Sequence, residues 1–186
     1  MITFLIFIYS FCFRVYNVIW VIDIKKFIIF FVIVIFFLVI SFDFDSDSSY
    51  YYPLEEHSVI SSHFGYRELY GSLNFHTGID FAYPKGTEVH SFCFGIIKYA
   101  SFLNGYGNCI IIQHENGYRS LYGHLDENFI VSVGDTILAN EVIGYIGPLF
   151  LSNGMRNGNS TGPHLHFELY NEKGDLIDPL SLKYVN

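Results

Sequence analysis

Ser160-Thr161-Gly162-Pro163-His164-Leu165-His166-Phe167-Glu168 is the stretch that decides the fold. From Leu165 onward, Leu165, Phe167 and Leu169 alternate with His166 and Glu168, and a period of two reads as a β-strand. On a strand His164 and His166 share a face, whereas on a helix they would diverge by about 200°. Two imidazoles aimed at one point suit a metal or a catalytic pair, and a surface strand with two incidental histidines is the plain alternative. The pattern therefore has to be read against the rest of the chain.

Outward from this stretch the same signature repeats. Runs of five to nine residues with alternating or continuous apolar character, punctuated by glycines, cover 92–100, 108–114, 118–124, 130–133, 142–146 and 164–170. This is an all-β pattern. Asn116-Gly117 between two runs predicts a hairpin over 109–125, and Val133-Gly134-Asp135 and Asn104-Gly105-Tyr106-Gly107 mark further turns. No segment beyond the N-terminus has a helical period.

The first 42 residues are of another kind. Residues 27–40 are all apolar, Ser41 and Phe42 extend the run, and Lys25-Lys26 stand before it. As a helix these 16 residues would reach about 24 Å against roughly 30 Å of hydrocarbon, and an uncleaved signal anchor and the core of a long signal peptide are both compatible with it. Residues 2–22 are apolar too, interrupted by Arg14 and Asn17, and offer a weaker second membrane segment. Arg14, Lys25 and Lys26 precede the run while Asp43, Asp45 and Asp47 follow it, which puts the C-terminal part outside the cytoplasm. Three regions result: a membrane anchor or signal region (1–42), an exposed Asp/Ser/Tyr-rich linker (43–57) and a folded domain (58–186).

Residues 43–186 carry 17 acidic and 7 basic side chains, a formal −10, against +2 for the first 42. That balance argues against nucleic acid as a partner. Cys12 lies near the membrane segment; Cys93 and Cys109 lie among apolar strand residues, where a buried thiol is ordinary, although an exported compartment would permit a bridge.

A second constellation, His76-Thr77-Gly78-Ile79-Asp80, sets an imidazole and a carboxylate four apart across a glycine. With His166 it supplies two nitrogens and one oxygen, the ligand count of a catalytic zinc site with one open position; manganese or iron would accept the same donors, whereas calcium and magnesium prefer all-oxygen shells. A third, Leu121-Tyr122-Gly123-His124-Leu125, ends the second strand of the expected hairpin. Taken alone, His124 reads as readily as a satisfied core residue.

Residues 61–179 resemble the lysostaphin/LytM-type zinc metallopeptidases. The matching stretches are H-x-x-x-D at His76–Asp80, Tyr122 to Leu125 and the H-x-H of His164–His166, supported by Phe64-Gly65-Tyr66-Arg67, Pro84-Lys85-Gly86-Thr87 and Gly105-Tyr106-Gly107-Asn108. The resemblance implies a compact antiparallel fold of duplicated hybrid or barrel-sandwich type holding one zinc ion, with His76, Asp80 and His166 as ligands and His124 and His164 as the catalytic histidines beside it. It further implies hydrolysis of peptide bonds in peptidoglycan cross-links or stem peptides, with non-catalytic relatives that bind and activate other wall hydrolases as the alternative. No H-E-x-x-H is present, so a histidine takes the base role that a glutamate has in that other class. Glu168, two residues beyond His166 on the same face, could orient a ligand, and Arg67 could fix a substrate carboxylate. His57, His63, His90 and His114 read as structural. Residues 148–159 are longer than this family usually has and are expected to form a mobile loop bordering the substrate groove and narrowing the cross-links accepted.

Overall fold

The computed structural model describes residues 24–26, 28–33, 50–54, 59–69 and 71–185. Chain packing separates Met1–Asp47 from Ser48–Asn186. In the first unit, 24–26 and 28–33 are helical and exposed. The expected membrane segment lies mostly outside the described residues, among which no helix is long and apolar enough to cross a membrane.

Among its described residues the second unit has twelve strands: β1 Val59–Ser62, β2 Gly65–Leu69, β3 Ser72–His76, β4 Ile79–Ala82, β5 Glu88–His90, β6 Gly95–Leu103, β7 Gly107–His114, β8 Arg119–Gly123, β9 Thr136–Ile137, β10 Val142–Tyr145, β11 Leu165–Tyr170 and β12 Leu176–Ile177. All named pairings are antiparallel. The main sheet runs β1-β4-β11-β8-β7-β6-β9 with β12 on β11, and β2-β3 and β5-β10 form separate two-stranded ribbons. The domain is thus mostly antiparallel β.

β11 lies inside the sheet between β4 and β8, and five of its six residues are buried. Leu165, Phe167 and Leu169 join the core with Ile79, Phe81, Ile97, Ile110, Ile112 and Tyr122. Its opposite face, His166 and Glu168, is covered as well, so the alternation separates core from site rather than core from water.

Most expected strands are present with shifted ends. The hairpin turns at Asn116-Gly117, where Gly117 has φ 85° and His114 N–H donates to Tyr118 O at 2.9 Å. The run at 130–133 is not a strand; Asp135 Oδ2 accepts from Ser132 N at 2.8 Å and folds it into a turn, and β9 follows instead. Of the stretch 43–57 expected as a linker, residues 50–54 are described, and they pack on the core: Leu54 is buried, Tyr50 stacks on Phe92 with centroids 4.7 Å apart, and Tyr52 stacks on Tyr184 at 4.0 Å. Aromatic rings in a polar run find partners that only the fold brings near.

Candidate metal site

Strand register assembles the site. His166 pairs with Asp80 across β11/β4 and with Gly123 across β11/β8, so Asp80 lies beside it on one side and His124 one step past its partner on the other. His76 ends β3 opposite Gly65. The turn from β3 to β4 passes directly over β11: a Cβ on Gly78 would overlap the backbone carbonyl of Phe167. Glycine is therefore required at Gly78 for close approach rather than for an unusual dihedral.

Three ligand atoms converge. His76 Nε2 lies 3.1 Å from His166 Nδ1 and 3.2 Å from Asp80 Oδ1, and His166 Nδ1 lies 2.8 Å from the same oxygen. The outer nitrogens of both rings are already committed, His76 Nδ1 donating to His63 O at 2.9 Å and His166 Nε2 to Glu168 Oε1 at 3.1 Å. Neutral rings held this way turn two lone pairs and a carboxylate oxygen onto one point, an arrangement that needs a cation at its centre. Tetrahedral zinc with bonds of about 2.0–2.1 Å sets its ligand atoms about 3.3 Å apart, so a small outward relaxation fits the ion. The donor set suits it.

The charge balance agrees. Burial alone would raise the Asp80 carboxyl, but hydrogen bonds from His166 and His76 hold it far below the usual carboxylate range. Burial opposes charge on His166, yet Asp80 on one side and Glu168 on the other push its imidazole up to about 9. Two ionised carboxylates around one buried ring are a demand for positive charge, which a divalent cation meets in place of the proton.

Glu168 has no solvent exposure. Besides His166 Nε2, its Oε1 accepts from Tyr106 OH at 3.0 Å and from Thr77 Oγ1, and its Oε2 accepts from Tyr170 OH at 2.7 Å. It orients His166, as the shared strand face suggested. Arg67, which also lines the cavity, reaches Asp80 Oδ2 at 3.5 Å and Ser62 Oγ, and so braces the far oxygen of the carboxylate.

His124 and His164 stand beside this centre with ring centroids 4.6 Å apart. His164 precedes β11 rather than lying within it, and its Nε2 is 3.9 Å from Asp80 Oδ1 while Nδ1 donates to Gly162 O at 2.8 Å. His124 Nδ1 donates to Asn157 O at 2.8 Å, and burial together with the neighbouring His164 pulls its imidazole down to about 3. A cavity of about 330 Å³ opens over all five residues, with Arg67, Asn74, Phe75, Tyr106 and Asn159 on its walls.

Sequence reasoning assigned no role to Thr77, Tyr106, Asn157 or Asn159. Gly105-Tyr106-Gly107-Asn108 was visible as a turn and as a family match, and Asn157-Gly158 marks no more than a turn. Within 148–159, only Asn159 lines the cavity. The remainder is closed on itself through a Phe150/Arg156 bridge and Leu151 N–H to Met155 O at 2.8 Å, and is pinned by buried Leu151 and Asn157. The loop expected to border the substrate groove does so through Asn159, and the buried Leu151 and the backbone bonds of Asn157 anchor it to the domain.

Among the other histidines, His114 is buried between Phe94 O and Ser120 Oγ, and His90 caps Asn140 O. His63 contributes through its carbonyl, and His57 lies outside the described residues. Cys93 and Cys109 are both free and buried.

Comparison with known proteins places these features in one family. Residues 74–179 match the model of peptidase family M23. DD-carboxypeptidase/endopeptidase Mpg of Neisseria meningitidis is 40% identical over 125 residues, covering 66% of this chain and 26% of that protein. The chain spans about a quarter of the length of the curated relatives it matches. A zinc-containing peptidase from Vibrio cholerae superposes with a TM-score of 0.62 at 27% identity, over 74% of this chain and 41% of that one. The catalytic domain of lysostaphin from Staphylococcus simulans gives 0.56 at 31% identity, over 67% and 90%. The match spans the segment that carries His76, Asp80, His124, His164 and His166, and the chain belongs to peptidase family M23.

Proposed function

We propose that this protein is a zinc-dependent metalloendopeptidase that hydrolyses peptide bonds in peptidoglycan cross-links or stem peptides. The observation that carries the reading is the convergence of His76 Nε2, Asp80 Oδ1 and His166 Nδ1 within 3.2 Å of one another at the floor of an open cavity. The fold reads as the duplicated hybrid, barrel-sandwich type. Lys25-Lys26 before the apolar run and Asp43, Asp45 and Asp47 after it support a domain held on the outer face of the cytoplasmic membrane.

Bound by these three residues, zinc would lower the pKa of a water toward about 7 and polarise the scissile carbonyl. The chain's own groups do the rest. His124, neutral and with its Nδ1 proton engaged, keeps an Nε2 lone pair to take a proton from the attacking water. His164, with its Nδ1 proton committed to Gly162 O, turns an Nε2 lone pair toward the metal-binding carboxylate and is placed to accept a hydrogen bond from the attacking water. Tyr106, its phenol pushed up to about 12 by burial and by Glu168, stays protonated on the cavity wall.

The test is mass analysis of purified cross-linked muropeptides after incubation with the full chain, with chelator and with zinc restored. Cleavage products that vanish with chelator and return with zinc are expected. Absence of cleavage by folded, zinc-loaded protein overturns the enzyme reading in favour of a domain that binds and activates other wall hydrolases.

A further inference from the structure

We infer that Asn157, in the loop preceding β11, is a positioning residue for His124. This rests on the reading of His124 as the proton acceptor of the proposed hydrolysis.

His124 needs holding. It adopts φ 60°, a left-handed conformation that costs a non-glycine residue on the order of 1 kcal/mol or more. Its ring could also carry its proton on either nitrogen, and only the Nδ1–H form leaves Nε2 able to accept. Asn157 addresses both problems. Its backbone carbonyl accepts the Nδ1 proton at 2.8 Å, which fixes the tautomer. Its side chain fixes the carbonyl: Oδ1 accepts from Asn108 N at 2.9 Å, and Nδ2 donates to Leu125 O at 3.0 Å and Pro148 O at 3.2 Å.

These partners surround His124. Leu125 follows it in sequence, and Leu125 N–H donates in turn to Asn108 O at 2.8 Å, so the Asn157 amide closes a ring between β7 and the residue after the histidine. Gly147, just before Pro148, donates to His124 O at 2.9 Å. Asn157 has no solvent exposure, and both of its amide atoms are bonded. The fold clears space for it: a Cβ on Gly107 would collide with Asn157 Oδ1. An asparagine fully buried and bonded through both amide atoms, in a loop whose residues 152–156 are exposed, is a built feature. The long loop thus ends by clamping the groove histidine.

The experiment reads the tautomer directly and does not need activity. In 15N-labelled full-length protein, two-bond 1H–15N correlations at neutral pH are expected to show His124 as the Nδ1–H form; an Nε2–H ring in the wild type overturns the inference, whether or not any variant folds. In Asn157→Ala, the His124 tautomer is expected to become mixed, with kcat on muropeptides falling 10- to 100-fold while KM and zinc affinity, measured by chelator competition, stay within about threefold. A folded Asn157→Ala protein with lower thermal stability but an unchanged tautomer and kcat would show a merely structural residue and also overturns it. Failure of the enzyme reading is distinguishable, because it appears as an inactive wild type whose tautomer still responds to Asn157→Ala.

Discussion

At the residue scale, the two histidines of the Leu165-flanked pair stand differently toward Asp80, and the proposed difference in their work is measurable. His166 offers Nδ1 to the three-atom focus, whereas His164 reaches Asp80 only at 3.9 Å. His166→Ala is expected to lose bound zinc, with affinity weakened at least 100-fold in chelator competition. His164→Ala should retain zinc at one equivalent while kcat falls by 10²- to 10⁴-fold, the usual worth of a positioned proton-transfer group. Equal zinc loss in both variants would make them equivalent ligands. Glu168 gives a subtler case, since it accepts from four donors and touches no reacting atom. Glu168→Gln keeps the volume but removes the charge that raises His166 basicity and presents N–H groups to existing donors. A 10- to 100-fold drop in zinc affinity is expected by the same competition measurement.

At the element scale, the β7–β8 hairpin carries a buried titratable group remote from any ligand contact. His114, at the end of β7, is nearly without exposure, and burial pulls its imidazole down to about 4 although it donates to Phe94 O. An unfolded histidine titrates near 6.5, so between these values the unfolded chain binds the extra proton and stability falls as pH falls. At pH 5 the loss from this residue is about 2 kcal/mol relative to neutral pH. Urea unfolding of zinc-loaded protein at pH 7.5 and pH 5, compared with His114→Gln, should show that much less pH dependence in the variant; identical slopes would refute the assignment. The same hairpin shows what sequence reveals and what it hides. Continuous apolar runs and Asn116-Gly117 announce β7 and β8, and alternation announces β11, because each buries a face. β2 and β3 give no such signal, since both are largely exposed ribbons whose value is to carry Arg67 and His76 to the groove. The residues that converge at the candidate metal site were legible because imidazole and carboxylate side chains announce themselves in the sequence. The layer behind them was not: Thr77 and Tyr106 meet Glu168 across 91 and 62 residues of chain, and the carbonyls of His63 and Asn157 have no side-chain identity to read.

At the scale of the whole domain, residues 50–54 act as a strap rather than as a tether. Tyr51 N–H donates to Phe92 O at 2.9 Å, His90 N–H to Pro53 O at 2.8 Å, and Val185 N–H to Tyr50 O at 2.7 Å, while Tyr50 bridges to Tyr184. The strap thereby joins the start of the folded unit to its C-terminal segment over the core residue Phe92. Leu54 is buried and the Tyr52 ring lies on Tyr184, so removing both side chains opens a cavity and exposes a stacked face. Leu54→Ala should cost about 2–4 kcal/mol and Tyr52→Ala about 1–2 more. The proposed metal ligands hang on β3, β4 and β11, none of which the strap pairs with. A folded double variant should therefore bind zinc within about threefold of the parent while its urea midpoint drops by the amount that loss dictates. A double variant as stable as the parent would overturn the strap role of residues 50–54; lost zinc affinity in a folded variant would mean that the strap, and not the sheet register alone, holds His76, Asp80 and His166 in place.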